Sequence, residues 1–139
     1  MSLVIDCSIS VGWFLPGQTT PYTTAVSSYL SRGQGVHAWV PSLWGIEFAN
    51  VLRTACKRRK LDGTRAQEIL SEAMGLPIRF SPDMARPGDL LGLALRHDLT
   101  SYDAAYLDLA LRLQLPIATQ DAALREAALA SGVGLWKPS

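Results

Sequence analysis

The feature that most constrains this chain is a set of short, unbroken apolar runs. Leu3-Val4-Ile5 is apolar at three consecutive positions, two of them β-branched. A strand with one face in water alternates apolar and polar residues. A run with no alternation is buried on both faces, as in a parallel sheet covered by helices. Val36 to Val40 is a second such strand, Pro77 to Phe80 a weaker third, Pro116 to Ala118 a fourth, and Val133 to Trp136 a fifth. Helical patterns fill the intervals: Tyr22 to Arg32, Ser42 to Lys60, Thr64 to Met74, Gly88 to His97, Ser101 to Leu113, and Ala122 to Ala130. Pro41 and Ser42 mark one helix start, Asp121 another, and Gly132 a stop. Thr100 and Asp103 are spaced as a capping box. Phe80 to Gly88, with Pro82 and Pro87, reads as a loop. Strands alternating with helices define an α/β domain with a mainly parallel central sheet.

With 139 residues, residues 1–139 are expected to form one domain with its own core. The 48% hydrophobic content excludes a disordered chain. No apolar run approaches the ~18 residues of a membrane span. Asp6 interrupts the first apolar stretch and the first basic residue is Arg32, which argues against a signal peptide. The expected location is cytoplasmic. Cys7 and Cys56 form no C-x-x-C pair and read as free, buried thiols. With two histidines, His37 and His97, a His-rich zinc site is disfavoured. The net charge of +1 leaves room for a local basic patch.

Twelve acidic residues divide into two groups. Asp62, Glu68, Glu72, Asp83, Asp89, Asp98, Asp108 and Glu126 sit in polar or amphipathic surroundings and read as solvated charges. Asp6, Glu47, Asp103 and Asp121 do not. Asp6 closes the first strand and Asp121 follows the fourth, so both lie at carboxyl ends of strands, where open parallel sheets place ligands. Glu47 lies inside a helix among Leu43, Trp44, Ile46, Phe48 and Val51, and Asp103 is flanked by Tyr102, Ala104 and Ala105. Ionised carboxylates in such surroundings are costly without compensation. Asp6, Asp103 and Asp121 are also placed to cap helices; Glu47, well inside its helix, is not. Four acids brought together repel one another, and a hard divalent cation relieves that repulsion, Mg²⁺ and Mn²⁺ preferring carboxylate oxygen and water.

Four stretches carrying these acids resemble the PIN-domain ribonuclease family, and within it the VapC-like toxins. They are VIDCSISVGWFLP from Val4, PSLWGIEFANVLRTACKRRKL from Pro41, LALRHDLTSYDAAYLDLALRLQLPIATQDAALREAA from Leu93, and the terminal GVGLW. They span more than half the chain, in the family's order. Leu99 to Ala104 followed by Ala118-Thr119-Gln120-Asp121 is the most specific part. The resemblance implies a three-layer α/β/α fold with four acids, Asp6, Glu47, Asp103 and Asp121, around Mg²⁺ or Mn²⁺. Ser8, Asn50 and Thr119 are candidates to support those acids. Ile46 stands before Glu47 where many relatives have an aromatic. Gln120 precedes Asp121 where Asn or a basic residue is frequent, which bears on substrate choice.

The implied reaction is hydrolysis of RNA phosphodiesters by metal-activated water, leaving a 5′-phosphate and a 3′-hydroxyl. One carboxylate is alternatively a general base. A polyanion needs basic flanks, and Arg53, Lys57, Arg58, Arg59 and Lys60 are the candidates for RNA contact, although the same run also complements a helix C-terminus. Trp13, Phe14, Trp44 and Trp136 fit core packing better than base stacking, with Trp13 the stacking candidate because it follows Asp6. The resemblance further implies a homodimer, an inhibitory antitoxin whose tail enters the active-site groove, and operator DNA contacted through that antitoxin.

Other readings are a PIN-fold nuclease in RNA processing and a non-catalytic module binding RNA or protein. The compact length disfavours the first and the four intact acids the second. A phosphoacceptor receiver would need an acidic pair after the first strand and a late Lys, and a haloacid-dehalogenase-type phosphatase an Asp-x-Asp, which Ser8 breaks.

Overall fold

In a computed structural model that describes residues Met1 to Ser139, Leu3, Val4 and Ile5 are completely buried. They form strand β1 (Leu3–Ile5). Helix α1 (Cys7–Phe14) and a short 3-10 turn (Pro16–Gln18) lead to α2 (Pro21–Arg32). Strand β2 (Ala38–Val40), helices α3 (Leu43–Lys57) and α4 (Gly63–Met74), and strand β3 (Ile78–Phe80) follow. Helices α5 (Pro87–His97) and α6 (Ser101–Leu113), strand β4 (Ile117–Ala118) and helix α7 (Ala122–Ser131) complete the chain.

The four strands lie in the order β3-β2-β1-β4, and every pairing is parallel. Val4 is opposite Trp39 on one side and Ile117 on the other. From β1 the chain steps outward to β2 and β3, then crosses back to place β4 on the far side of β1. Right-handed crossovers put helices on opposite faces for those two directions, giving the three-layer α/β/α arrangement. The reversal between β1 and β4 is a switch point, and a crevice opens there beyond the carboxyl ends of the strands. Asp6 and Asp121 border it.

One continuous core joins the sheet to its helices. On α3 the buried residues Trp44, Phe48, Leu52 and Ala55 recur at helical spacing. The Trp44 and Phe48 rings stack at 5.1 Å, and Phe80 meets Trp44 edge-on at 5.6 Å. The Trp44 indole N–H donates to the Ser10 hydroxyl at 2.8 Å, which anchors α3 on α1. No helix is long and apolar enough to cross a membrane.

Several expectations need correction. A separate helix, α1, runs from Cys7, directly after β1. Val133 to Trp136 is not a strand: only Leu135 bridges Ile117, while Trp136 packs on Tyr22 and Tyr29 of α2. Gly134, with φ of 81°, turns the chain away from a straight strand. Ser42 makes no side-chain cap, and α3 ends at Lys57, with Arg59 in the left-handed region at φ of 59°. The Thr100 hydroxyl accepts from the Asp103 N–H, but the reciprocal half of a capping box is absent. Asp108 is buried rather than solvated, because Arg112 one turn on donates to it at 2.8 Å. Cys7 and Cys56 are free but only half-buried.

Candidate active site

Asp6 ends β1, where its backbone N–H donates to the Ala118 carbonyl of β4 at 3.3 Å. Its side chain, 5% exposed, does not cap α1. Instead one carboxylate oxygen accepts the Ser8 hydroxyl and the other the Thr119 hydroxyl. Each hydroxyl in turn accepts a backbone N–H: Ser8 from Gln120 at 3.2 Å, Thr119 from Asp121 at 3.0 Å. A hydroxyl has one proton, and these acceptances leave it for Asp6. The two residues thus stitch the start of α1 to the end of β4 around a buried carboxylate. Burial pushes the Asp6 carboxyl up to about 6; the Ser8 and Thr119 hydrogen bonds restrain the rise, and the Asp103 charge adds to it.

Glu47 projects from α3 and accepts a hydrogen bond from the Tyr106 hydroxyl at 2.5 Å. Tyr106 is buried on α6, three residues after Asp103 and hence on the same helical face. Helix α6 precedes β4 and runs back toward it, so Asp103, in its first turn, sits at the carboxyl edge of the sheet. Burial raises the carboxyl pKa of Glu47, against the Tyr106 bond and with the Asp103 charge. Burial also raises that of Asp103, with the Asp121 charge adding and the Thr100 bond opposing. Asp121 is exposed, and one of its oxygens accepts the Leu124 N–H at 2.8 Å as the N-cap of α7. The Asp103 charge thus bears on both Asp6 and Glu47, and the Asp121 charge on Asp103.

The donor set suits a hard cation. The four acids and their hydroxyl supports offer oxygen only. Cys7 lies in the field of Glu47 and Asp6, and burial followed by those charges pushes its thiol up to about 12, so it stays protonated. No three Asp, Glu, His or Cys side chains lie close enough together to hold a metal ion. Mg²⁺ keeps several waters and is commonly bound through one or two protein carboxylates.

A cavity of about 680 Å³ is lined by Ser8, Gln120 and Asp121, the one acid of the four on its wall, and extends along α3 past Asn50 to Arg58 and Lys60. Arg53, Lys57 and Arg59 are exposed but do not line it. None of the five basic residues is held in an ion pair. Trp13 also lies outside the cavity, because its indole N–H donates to the Thr23 carbonyl at 2.9 Å, between α1 and α2. Two supporting residues were missing from the sequence reading. Tyr106 stands at an apolar position of its helix, although its spacing from Asp103 puts it on the same helical face. Arg125 donates to the Thr119 carbonyl at 2.8 Å and lies over the Tyr22 ring, a contact no local pattern signals.

No family model matches the chain. Among solved structures, that of PAE2754 from Pyrobaculum aerophilum superposes with a TM-score of 0.69, covering 91% of this chain and 84% of that one at 20% identity, which shows a shared fold. Ribonuclease VapC12 of Mycobacterium tuberculosis, found in strains CDC 1551 and H37Rv, is 32% identical over 124 residues. That alignment takes in 89% of this chain and 90% of the relative. At that identity and extent, the chain belongs to the VapC-like branch of the PIN-domain family.

Proposed function

We propose that this chain is a divalent-metal-dependent endoribonuclease and the toxin of a toxin–antitoxin pair. The observation that carries this reading is the buried Asp6 carboxylate, held by the Ser8 and Thr119 hydroxyls at the switch point of a parallel sheet. The name of the M. tuberculosis relative supports the substrate class. Asp6, Glu47, Asp103 and Asp121 would hold Mg²⁺ or Mn²⁺, partly through water. The chemistry such a cation supplies is activation of water and neutralisation of phosphate charge. The chain's own residues do the positioning. Ser8 and Thr119 orient Asp6, and Tyr106 holds Glu47. The exposed cations Arg53, Lys57, Arg58, Arg59 and Lys60 offset the field of the acids toward a polyanion. A cognate antitoxin, a homodimer, operator DNA met through the antitoxin and a cytoplasmic setting belong to the same reading.

The test is cleavage of labelled total RNA by antitoxin-free protein in Mg²⁺, Mn²⁺ or EDTA, beside Asp103→Asn. Discrete cuts that need metal and vanish in the variant are the expected result. Equal cutting by both proteins would refute this site, and a folded protein that binds no divalent cation would refute the catalytic reading.

A further inference from the structure

The cavity beside the acids has an organisation of its own. Its floor is aliphatic, formed by Val11 and Leu15 on the α1 side and Val51 and Ala55 on α3. Its rim carries the amides of Gln18, Asn50 and Gln120, and its outer end Arg58 and Lys60. No aromatic residue lines it. Along α3, Glu47, Asn50, Thr54 and Arg58 follow one another at three- and four-residue steps. They form a polar stripe roughly 16 Å long from the acids to the cations. Charge in the cavity is therefore of both signs, with the Asp121 carboxylate and the Arg58 and Lys60 cations, neither in an ion pair, on its wall.

One rim residue has a defined orientation. The Thr20 hydroxyl accepts the Thr23 N–H at 3.2 Å and donates its proton to Gln120 Oε1 at 2.7 Å. The Gln120 amide oxygen is thereby occupied, and its NH₂ is left as a donor.

We infer that this cavity seats one unstacked nucleotide of the RNA beside the scissile phosphate. This rests on the ribonuclease reading above. The base lies on the aliphatic floor, Gln120 donates to an acceptor on its edge, and Arg58 and Lys60 hold the next phosphate. The volume falls in the range of small-ligand pockets, and sequence-specific RNA recognition works mainly on splayed single-stranded bases. The cationic outer end favours a polyanion over a basic peptide tail. Gln120 is thus a specificity residue at a single flanking position, acting by edge recognition rather than stacking.

Two measurements test this. The first is fluorescence anisotropy of a labelled random-sequence single-stranded RNA in EDTA, where nothing is cut. The Arg58→Ala/Lys60→Ala double variant should bind about ten-fold more weakly, and its log–log salt slope should be shallower by about 0.7, for the one phosphate no longer neutralised. Equal binding by the two proteins, or no binding by the wild type, overturns the inference. So does a double variant that keeps RNA affinity but loses capture of the antitoxin, which would assign the cavity to the protein partner. The second is sequencing of the cuts made in a random RNA pool. Gln120→Leu should change base preference at one position next to the cut. Unchanged preference at every position overturns the role of Gln120. RNA binding through the cavity without any cleavage would instead count against the ribonuclease reading alone.

Discussion

The Tyr106 hydroxyl is the smallest feature on which the site turns. It is buried, it donates to Glu47, and by stabilising the ionised carboxylate it opposes the effect of burial. Tyr106→Phe fills the same space without the donor. It should cost only about 1 kcal/mol of stability. Its larger effect should be ten- to a hundred-fold weaker Mn²⁺ binding, the usual cost of losing a group that orients a ligand, read by isothermal titration. Unchanged affinity would show that Glu47 needs no such support. Asp6 gives a second prediction. Its folded-state pKa, about 6, lies above the ordinary 3.8. The uncharged form is therefore favoured by folding, and its contribution is fully present below the unfolded value and lost as pH rises through 6. In EDTA the protein should be more stable at pH 5 than at pH 7.5, with Asp6 contributing about 1.4 kcal/mol to the difference. Glu47 and Asp103 shift in the same direction. Denaturant melts at the two pH values check this, and a less stable protein at pH 5 would contradict it.

Among the elements, α1 decides how the acids are presented, and it is the one the apolar runs left out. CSISVGWF carries its two serines among small and apolar residues without a distinct polar face, so periodicity could not mark it. Its packing on α2 depends on Gly12. A Cβ there would lie 2.4 Å from Thr23 Cγ2. Thr23 cannot swing aside, because its hydroxyl is engaged with Thr20 in the capping box of α2. Ala is worth about 1 kcal/mol over Gly in a helix, but overpacking of a rigid contact costs about 1–3 kcal/mol. Gly12→Ala should therefore be destabilising, by roughly 1–2 kcal/mol in a urea melt; a stabilised variant would mean that α1 and α2 move apart freely. The Val133 to Trp136 segment failed as a strand for a comparable reason. Its Trp136 ring packs on the aromatic rings of α2, and only Leu135 bridges the sheet.

For the molecule as a whole, a cation held at the proposed site would offset the charge of its acids. Mg²⁺ at about a hundred times its dissociation constant should stabilise the fold by about 2.7 kcal/mol, a rise of roughly 10 °C in Tm that EDTA reverses. Asp103→Asn should shrink that rise, and a wild-type Tm insensitive to Mg²⁺ would refute a cation in this site. The strand and helix order was legible in the residues themselves, since an unbroken apolar run such as Leu3-Val4-Ile5 has nowhere to go but the middle of a covered sheet. The placement of Asp6 and Asp121 at strand ends was legible for the same reason. Asp108 was misread because its burial depends on Arg112 and on the helices around α6, which a solvated-looking pattern does not reveal. The bond between Tyr106 and Glu47 joins residues 59 apart, and that between Thr119 and Asp6 residues 113 apart. Local periodicity, by itself, determined which elements form and which acids lie in apolar company. Only the tertiary structure decided which hydroxyls face those acids, which cations border the cavity, and how Gln120 is turned, because such contacts depend on packing between elements that no window of sequence contains.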